Sequence, residues 1–519
     1  MKRVVVIGAG MGGLASAIRL AVAGARVTLL EMSGTPGGKM RAVDSAAGPV
    51  DAGPTVLTMR HQFDALFALA GQRLEDHVGV FPEPILARHW WLDGKTLDLF
   101  DNTEASIEAI RDAFGATEAD AFRAFDRDAR KLFGVFEHPM METPAPTLPG
   151  MAGVVMRRPS VLTAMAPHLS LASALKRRFS SPHLRQLFGR YATYVGGTPR
   201  GAPAILQLIW QAEASGVWRV EGGMHNLARA LADLAASLGV RIHYDAKVTR
   251  IERQNGRAQA AHTADGQKHT GEAILFNGDP RALEIGLLGD GVSHAVDPSG
   301  TTPRSLSARV WSFAATPAGA DLIHHNVFFG KDPDEEFGPI KSGQPPTDPT
   351  LYICAQDRGA HMPPPDGLER FEIIENAAPT DRMEEKEKNA CRTRVFDRLA
   401  HYGLTFTPRP LETALTTPSE FNALFPGSLG SLYGLSPEGM RAAFKRPTAR
   451  SKIAGLYLAG GGTHPGAGIA MAALSGKHAA AAIGTDLALR STSRPMATRG
   501  GMSTASAIAG ASPSRSLPS

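Results

Sequence analysis

Gly8, Gly10 and Gly13 stand between a short apolar run and a helical stretch, and Glu31 closes the next apolar run. These residue types at this spacing bind a nucleotide pyrophosphate. Gly8 permits a tight turn, Gly10 lets the backbone approach the phosphates, and Gly13 lets the helix pack against the strand; Gly12 belongs to the same loop. The helix N-terminus offers the anion free N–H groups and a partial positive charge. The Glu31 carboxylate is placed to accept hydrogen bonds from a ribose hydroxyl. The elements that must hold these residues occur in order: a buried strand over 4–7, a helix over 14–23, and a second strand ending at Glu31. Lys2 and Arg3 before an apolar stretch, with Ala21-Val22-Ala23 after it, also fit a secretory signal. The interrupting glycines argue against that, so the segment reads as folded and the protein as not secreted.

A second glycine pair selects among dinucleotides. Gly37-Gly38-Lys39-Met40-Arg41 follows Glu31, and Asp51-Ala52-Gly53-Pro54-Thr55-Val56 comes next. A nicotinamide dehydrogenase has no general need of these, whereas a flavoprotein must pass its chain along the whole extended cofactor. A cation at Lys39 or Arg41 can neutralise pyrophosphate charge. Far along the chain, residues 455–462 read as a strand entering a glycine turn at Gly460 and Gly461. Thr463-His464-Pro465-Gly466-Ala467-Gly468 then leads into a small-residue helix over 469–483, beginning Ile469-Ala470. Such a helix start points backbone donors at the pyrimidine end of a flavin.

The chain has 519 residues, 43% of them hydrophobic and 20% charged, which suits a multidomain globular enzyme. Its two cysteines, Cys354 and Cys391, give neither a disulfide framework nor a zinc spacing, and no metal site is expected. No apolar run is long enough to span a bilayer. The net charge of +5 is unevenly distributed. From Thr143 to Ala212 there is no acid, while Arg157, Arg158, Lys176, Arg177, Arg178, Arg185, Arg190 and Arg200 fall there among apolar residues. Over 151–179 this reads as an interfacial helix pair resting on anionic lipid, a peripheral attachment to the cytoplasmic side of a membrane; a basic solvated face is the plainer alternative. No nucleic-acid-binding motif accompanies the charge. Residues 222–238 read as a helix, 240–244 and 246–251 as strands, and 273–276 as a strand ending at Asn277-Gly278-Asp279-Pro280. Residues 329–370 read as loops between strands such as 351–355, and 491–519 as a disordered tail.

Together the N-terminal glycine unit, Gly37-Gly38-Lys39, Asp51 to Thr55, Gly222-Gly223-Met224 and Ala459 to Gly468 resemble the bacterial carotenoid desaturases of the FAD-dependent amine-oxidase-like superfamily, over residues 1 to 490. The likeness is sharpest to the 1-hydroxycarotenoid 3,4-desaturases, through Arg88 to Gly94, Phe188 to Gly197 and Gln211 to Trp218. It implies an α/β fold: a Rossmann-like FAD-binding domain over 1–75, 215–285 and 445–490, and an α+β substrate region over 76–214 and 286–444 with a helical membrane-facing segment. It also implies that the Val248 backbone contacts adenine. Many superfamily members carry an acid after the C-terminal glycine pair; this chain has Gly462-Thr463, so flavin affinity must lean on backbone contacts.

The implied substrate is an acyclic carotenoid with a 1-hydroxy or 1-methoxy end, desaturated at C3–C4, with a quinone or O2 as electron acceptor. Hydride loss beside a polyene leaves a delocalised cation whose neighbouring C–H is acidic, so a weak base or water suffices and positioning dominates. Glu213, His464, Tyr194 and Trp218 are the candidates for shaping the tunnel or removing the proton, each also readable as tunnel wall or satisfied core. Phytoene desaturation is the alternative within the family. An amine or porphyrinogen oxidase, and a non-enzymatic prenyl-lipid escort, are the alternatives outside it.

Overall fold

The computed structural model describes residues 2–360, 362–382 and 385–492. The continuous Val/Ile/Leu runs pair as a five-stranded parallel sheet, as expected of strands covered on both faces. Arg3–Ile7 lies at its centre, in register with Arg26–Leu30 on one side and Ala273–Phe276 on the other; Arg241–His243 and Leu456–Leu458 are the edges. Alternation sends Val4 and Val6 to one face and Val5 and Ile7 to the other. Helices Met11–Val22, Met224–Ser237 and Ile469–Thr492 cover the first face. A three-stranded antiparallel sheet, Val248–Gln254, Arg257–Thr263 and Lys268–Thr270, covers the second through Ile251, Ala258 and Ala261.

The first helix begins at Met11 rather than at Leu14. A Cβ on Gly13 would lie 2.0 Å from the Gly8 carbonyl oxygen, so only glycine lets the helix start inside the turn. That start aims its first N–H groups into the space the turn encloses.

Eight further strands form a second sheet. Along it run Thr405–Thr407, Ser307–Ala318, Glu369–Ala377, Leu351–Ala355, His325–Phe328, Ile85–Trp90 and Thr96–Phe100, and Leu415–Thr416 also pairs with Ser307–Ala318. All neighbours are antiparallel except His325–Phe328 beside Ile85–Trp90. Helices between 103 and 214 pack on it through an aromatic core of Trp91, Phe122, Phe125, Phe188, Tyr191 and Trp210. The 329–370 segment is not all loop: it holds the helix Pro333–Lys341, whose N-cap Asp332 accepts from the Asp334 N–H. Asp332-Pro333 is the N-cap and first-turn proline signature that marks it.

The expected interfacial helix pair over 151–179 is three short helices, Leu148–Arg157, Val161–Met165 and Leu171–Arg178. Pro159 and Pro167 break the run. Among the described residues no helix is long and apolar enough to cross a membrane. The expected tail begins inside the last helix, which ends at Thr492; its remainder lies outside the described residues.

Candidate active site

At the carboxyl ends of the parallel strands lies a cavity of about 570 Å³. Its lining includes Gly8, Gly10, Gly12, Glu31, Gly38, Lys39, Pro54, Val248, Asn277, Gly460, Gly461, Gly468 and Ile469. Three strand ends meet at Asn277: its Nδ2 donates to the Gly8 carbonyl at 3.2 Å, while a Cβ on Gly12 would fall 2.5 Å from its Oδ1 and 2.6 Å from the Gly460 nitrogen. Asn277 Oδ1 is buried without a hydrogen-bond partner. The second glycine pair lies against the first: the Gly37 N–H donates to the Ala9 carbonyl at 2.9 Å, and a Cβ on Gly38 would sit 3.2 Å from Gly10 Cα.

Glu31 is buried, with both oxygens on main chain: Oε2 accepts from Ala9 N–H at 2.6 Å and Oε1 from Ser33 N–H at 2.9 Å. It thus pins the glycine turn to the end of its own strand, and the second lone pair of each oxygen stays available to a ribose hydroxyl. Asp51, on the neighbouring motif, accepts from the Met224 and His225 N–H groups at 2.5 and 3.1 Å, which joins Asp51-Ala52-Gly53 to Gly222-Gly223-Met224. Burial raises the Asp51 carboxyl above its ordinary range, and these two donors oppose the rise.

Both candidate cations have partners inside the fold, and Lys39 also lines the cavity. Lys39 Nζ donates to the Leu432 carbonyl at 2.5 Å, and burial lowers its pKa to about 8; Arg41 donates to Thr416 Oγ1 at 2.7 Å over the Phe421 ring. Both cations reach toward residues 416–432, and the glycine turn is served by backbone. Gly13, Thr55, Val56 and Ala470 are not part of the cavity lining. Gly13 acts by packing, Thr55 is bonded to the Tyr352 hydroxyl at 2.7 Å, Val56 packs on the aromatic core, and Ala470 is buried in the first turn of the last helix.

The four candidates for chemistry separate. His464 is a core residue: Nε2 meets the Thr143 carbonyl at 2.9 Å, the ring stacks 5.9 Å from His478, and burial lowers its pKa to about 4. Trp218 begins the strand Trp218–Val220, and its ring fills the space at Gly216. Neither lines the cavity. Tyr194 and Glu213 do come together, with Arg190 and Tyr191. Arg190 donates to the Tyr194 hydroxyl at 2.6 Å with its guanidinium 4.9 Å from that ring centre, and burial raises the Glu213 carboxyl. Arg190, grouped by composition with the basic surface cations, is instead interior. Its spacing to Tyr194, four residues on in a turn of helix, was the available signal.

Across from this group stand His325 and Tyr352, bonded to one another at 2.7 Å, and His89, whose pKa burial lowers to about 3. The strand register pairs His325 with Cys354, and His324 Nε2 lies 3.7 Å from Cys354 Sγ. These three ligating groups fall within 4.8 Å of one another, a juxtaposition that linear spacing does not carry. His324 also bonds the Arg358 carbonyl at 2.6 Å, so both imidazoles already have partners inside the fold.

A parallel sheet with a backbone phosphate cradle at its strand ends, facing a larger antiparallel sheet, defines a dinucleotide-dependent oxidoreductase. The family described as flavin containing amine oxidoreductase matches residues 11–484, and the chain belongs to it. It is 57% identical over 95% of its length to a hydroxyneurosporene desaturase of Cereibacter sphaeroides, covering 99% of that protein. It is 54% identical over 93% of its length to one of Rhodobacter capsulatus, covering 98%. Its fold is similar to that of a cyclohexylamine oxidase from Brevibacterium oxydans, with TM-score 0.56, 15% identity, and coverage of 94% of this chain and 99% of that one. The cofactor is FAD. The residues present fit it: a glycine cradle that any Cβ would fill, a buried carboxylate at the ribose position, and an unpartnered Asn277 oxygen in the cavity wall.

Proposed function

We propose that the protein is an FAD-dependent desaturase that introduces the C3–C4 double bond into acyclic carotenoids bearing a 1-hydroxy or 1-methoxy end. The observation that carries this reading is the cavity wall facing away from the phosphate cradle, built from Val310, Ile374, Phe421, Leu424, Phe425 and Leu432. An aliphatic and aromatic wall suits a polyene and carries no carboxylate to pair with an amine. The names of the two relatives supply the oxygenated end of the substrate.

Bound FAD supplies the two-electron acceptor for breaking an allylic C–H bond. The chain's own part is to hold it and the polyene in fixed contact and to keep water out. The start of helix Ile469–Thr492, where Gly468 and Ile469 line the cavity, would offer backbone N–H donors and a partial positive charge to the bound cofactor. A quinone or O2 takes the electrons onward. Substrate enters from lipid at the 148–178 helices, where Met156, Arg157 and Arg158 are exposed together, as are Lys176 and Arg177, on the cytoplasmic side of a membrane.

The test uses paired host strains. A strain accumulating 1-hydroxyneurosporene should gain a chromophore longer by one conjugated double bond when the gene is added, and a strain accumulating phytoene should not. Conversion of phytoene at a comparable rate makes the protein a phytoene desaturase. Purified protein that takes up no flavin makes it an escort-like lipid carrier.

A further inference from the structure

Arg190 opens the turn Arg190–Val195 and projects into the interior between the 171–214 helices and the large sheet. Its bond to the Tyr194 hydroxyl accounts for one of five N–H donors, and among the described residues no carboxylate lies within ion-pair distance of it. Glu213, on helix Ile209–Ala214, faces the same group and the Tyr191 and Tyr194 phenols, but its Oε2 is buried with no partner. From the sheet, His325 presents an Nε2 that is likewise buried and unpartnered. Burying a carboxylate oxygen and an imidazole nitrogen without partners, around a guanidinium with donors to spare, is costly. Such a group persists in an aromatic core where a ligand's polar atom completes it.

Its position matters as much as its chemistry. Gly196, just past the turn, has room for no side chain: a Cβ there would lie 2.6 Å from the Tyr433 ring. Tyr433 lines the cofactor cavity. Arg190 is outside that lining, but its charge acts on Tyr433, which belongs to it. In a 1-hydroxycarotenoid the oxygen sits on C1 and only the C2 methylene separates it from C3, so whatever holds the oxygen must adjoin the reacting bond.

We propose that Arg190 donates hydrogen bonds to the C1 oxygen of the substrate and so sets the preference for an oxygenated end over a hydrocarbon end, with Tyr194 orienting the guanidinium and Glu213 balancing its charge. This rests on the substrate reading given above. A hydrocarbon end leaves the Arg190 donors other than the one bonded to Tyr194 without an acceptor, which discriminates far more strongly than a missing methylene.

The test measures kcat/KM of the FAD-loaded enzyme for 1-hydroxyneurosporene and for neurosporene, its parent hydrocarbon, in liposomes. Arg190→Met should lower the ratio of the two by about 100-fold, part of it as a gain on the hydrocarbon, with flavin absorbance per protein as in the wild type; Arg190→Lys should restore part of the preference. Equal losses on both substrates, or an unchanged ratio, overturn the assignment. Should Arg190→Met fail to hold flavin, Tyr194→Phe carries the test: it removes only the hydroxyl that Arg190 bonds, and should lower the ratio about 10-fold, an unchanged ratio again overturning the proposal. A wild type indifferent to the hydroxyl overturns the substrate reading itself, whereas a wild type that prefers it and an Arg190→Met enzyme that still does overturn this assignment alone.

Discussion

At the carboxyl ends of the parallel strands the protein meets its cofactor with main chain: glycines at 8, 10, 12, 37, 38, 460 and 461, a helix start at Met11, and acids whose oxygens are bonded to backbone N–H groups. On the side of the large sheet it gathers polar side chains, Arg190, Tyr194, Glu213, His325 and Tyr352, beside an aromatic core. The first arrangement fixes shape and has no room for a Cβ at Gly12, Gly37 or Gly460. The second carries desolvation costs that a suitable ligand offsets, and each member can be exchanged without moving the backbone. Recognition of a constant cofactor suits the former, discrimination between similar polyenes the latter.

The sharpest break of this contrast is a single methyl group on the backbone side. Gly13→Ala places a Cβ 2.0 Å from the Gly8 carbonyl oxygen, and neither atom belongs to a flexible side chain. The turn must open, at an overpacking cost of about 1–3 kcal/mol or more, and flavin absorbance in the purified protein should vanish. A Gly13→Ala enzyme with full flavin content would show that the cradle is not rigid, and the contrast would collapse.

Acid should loosen the large-sheet side first, because it carries three lowered imidazoles, His89, His324 and His325, against His464, lowered to about 4, and His478 on the cofactor side. Burial lowers His89 to about 3 and His324 to about 4, both on the large-sheet side, from an ordinary value of 6.5. The unfolded chain binds these protons below pH 6.5 and the folded chain does not until pH 3 to 4, so stability is full above pH 6.5 and falls as pH drops through that window. At pH 5 the loss is about 2 kcal/mol per imidazole. Trp90, Trp91, Trp210 and Trp311 sit on this side, so tryptophan emission should shift before flavin is released. Flavin release ahead of the emission change would reverse the assignment of the weaker region.

The same contrast explains what could be read from the sequence. The phosphate cradle is local: strand, glycine turn, helix and Glu31 lie within one stretch, and the spacing of small residues is the signal itself. Even the join between Asp51 and Met224 was legible as two motifs, though not as a helix cap. The polar group by the large sheet is assembled from Arg190, Glu213, His325 and Tyr352, four separated segments, and only the spacing of Arg190 to Tyr194 hints that Arg190 is interior while Lys176 and Arg177 stay exposed. His464 misled for the opposite reason. It stands inside a cofactor motif, yet the fold turns its ring to the Thr143 carbonyl.

A side chain within the backbone region offers a finer test. Glu31→Gln keeps the size of the group but removes its charge and sets an amide NH2 against the Ala9 or Ser33 N–H. Loss of charge-assisted bonds of about 1.5–3 kcal/mol should weaken FAD binding by about 10- to 100-fold in a flavin titration. Affinity equal to the wild type would mean that the glycine turn holds its shape without the acid, and that the backbone region owes nothing to side chains.

The smallest expected effect lies on the surface, where neither backbone geometry nor buried polarity applies. In the Leu171–Arg178 helix, Lys176 and Arg177 are exposed while Arg178 is bonded to Asp128. Replacing the first two with Gln should weaken attachment to anionic vesicles by about 1 kcal/mol per charge, and raised salt should weaken the wild type in the same way. Arg178→Gln should matter less to vesicles, because its charge is already paired with an acid. If sedimentation with vesicles ignores all three changes and the salt, the basic helices are an ordinary solvated face, and the polyene must reach the cavity by another route. If Lys176 and Arg177 matter and Arg178 does not, membrane attachment depends on unpaired charge alone, a third mode of recognition set apart from the other two by how little geometry it requires.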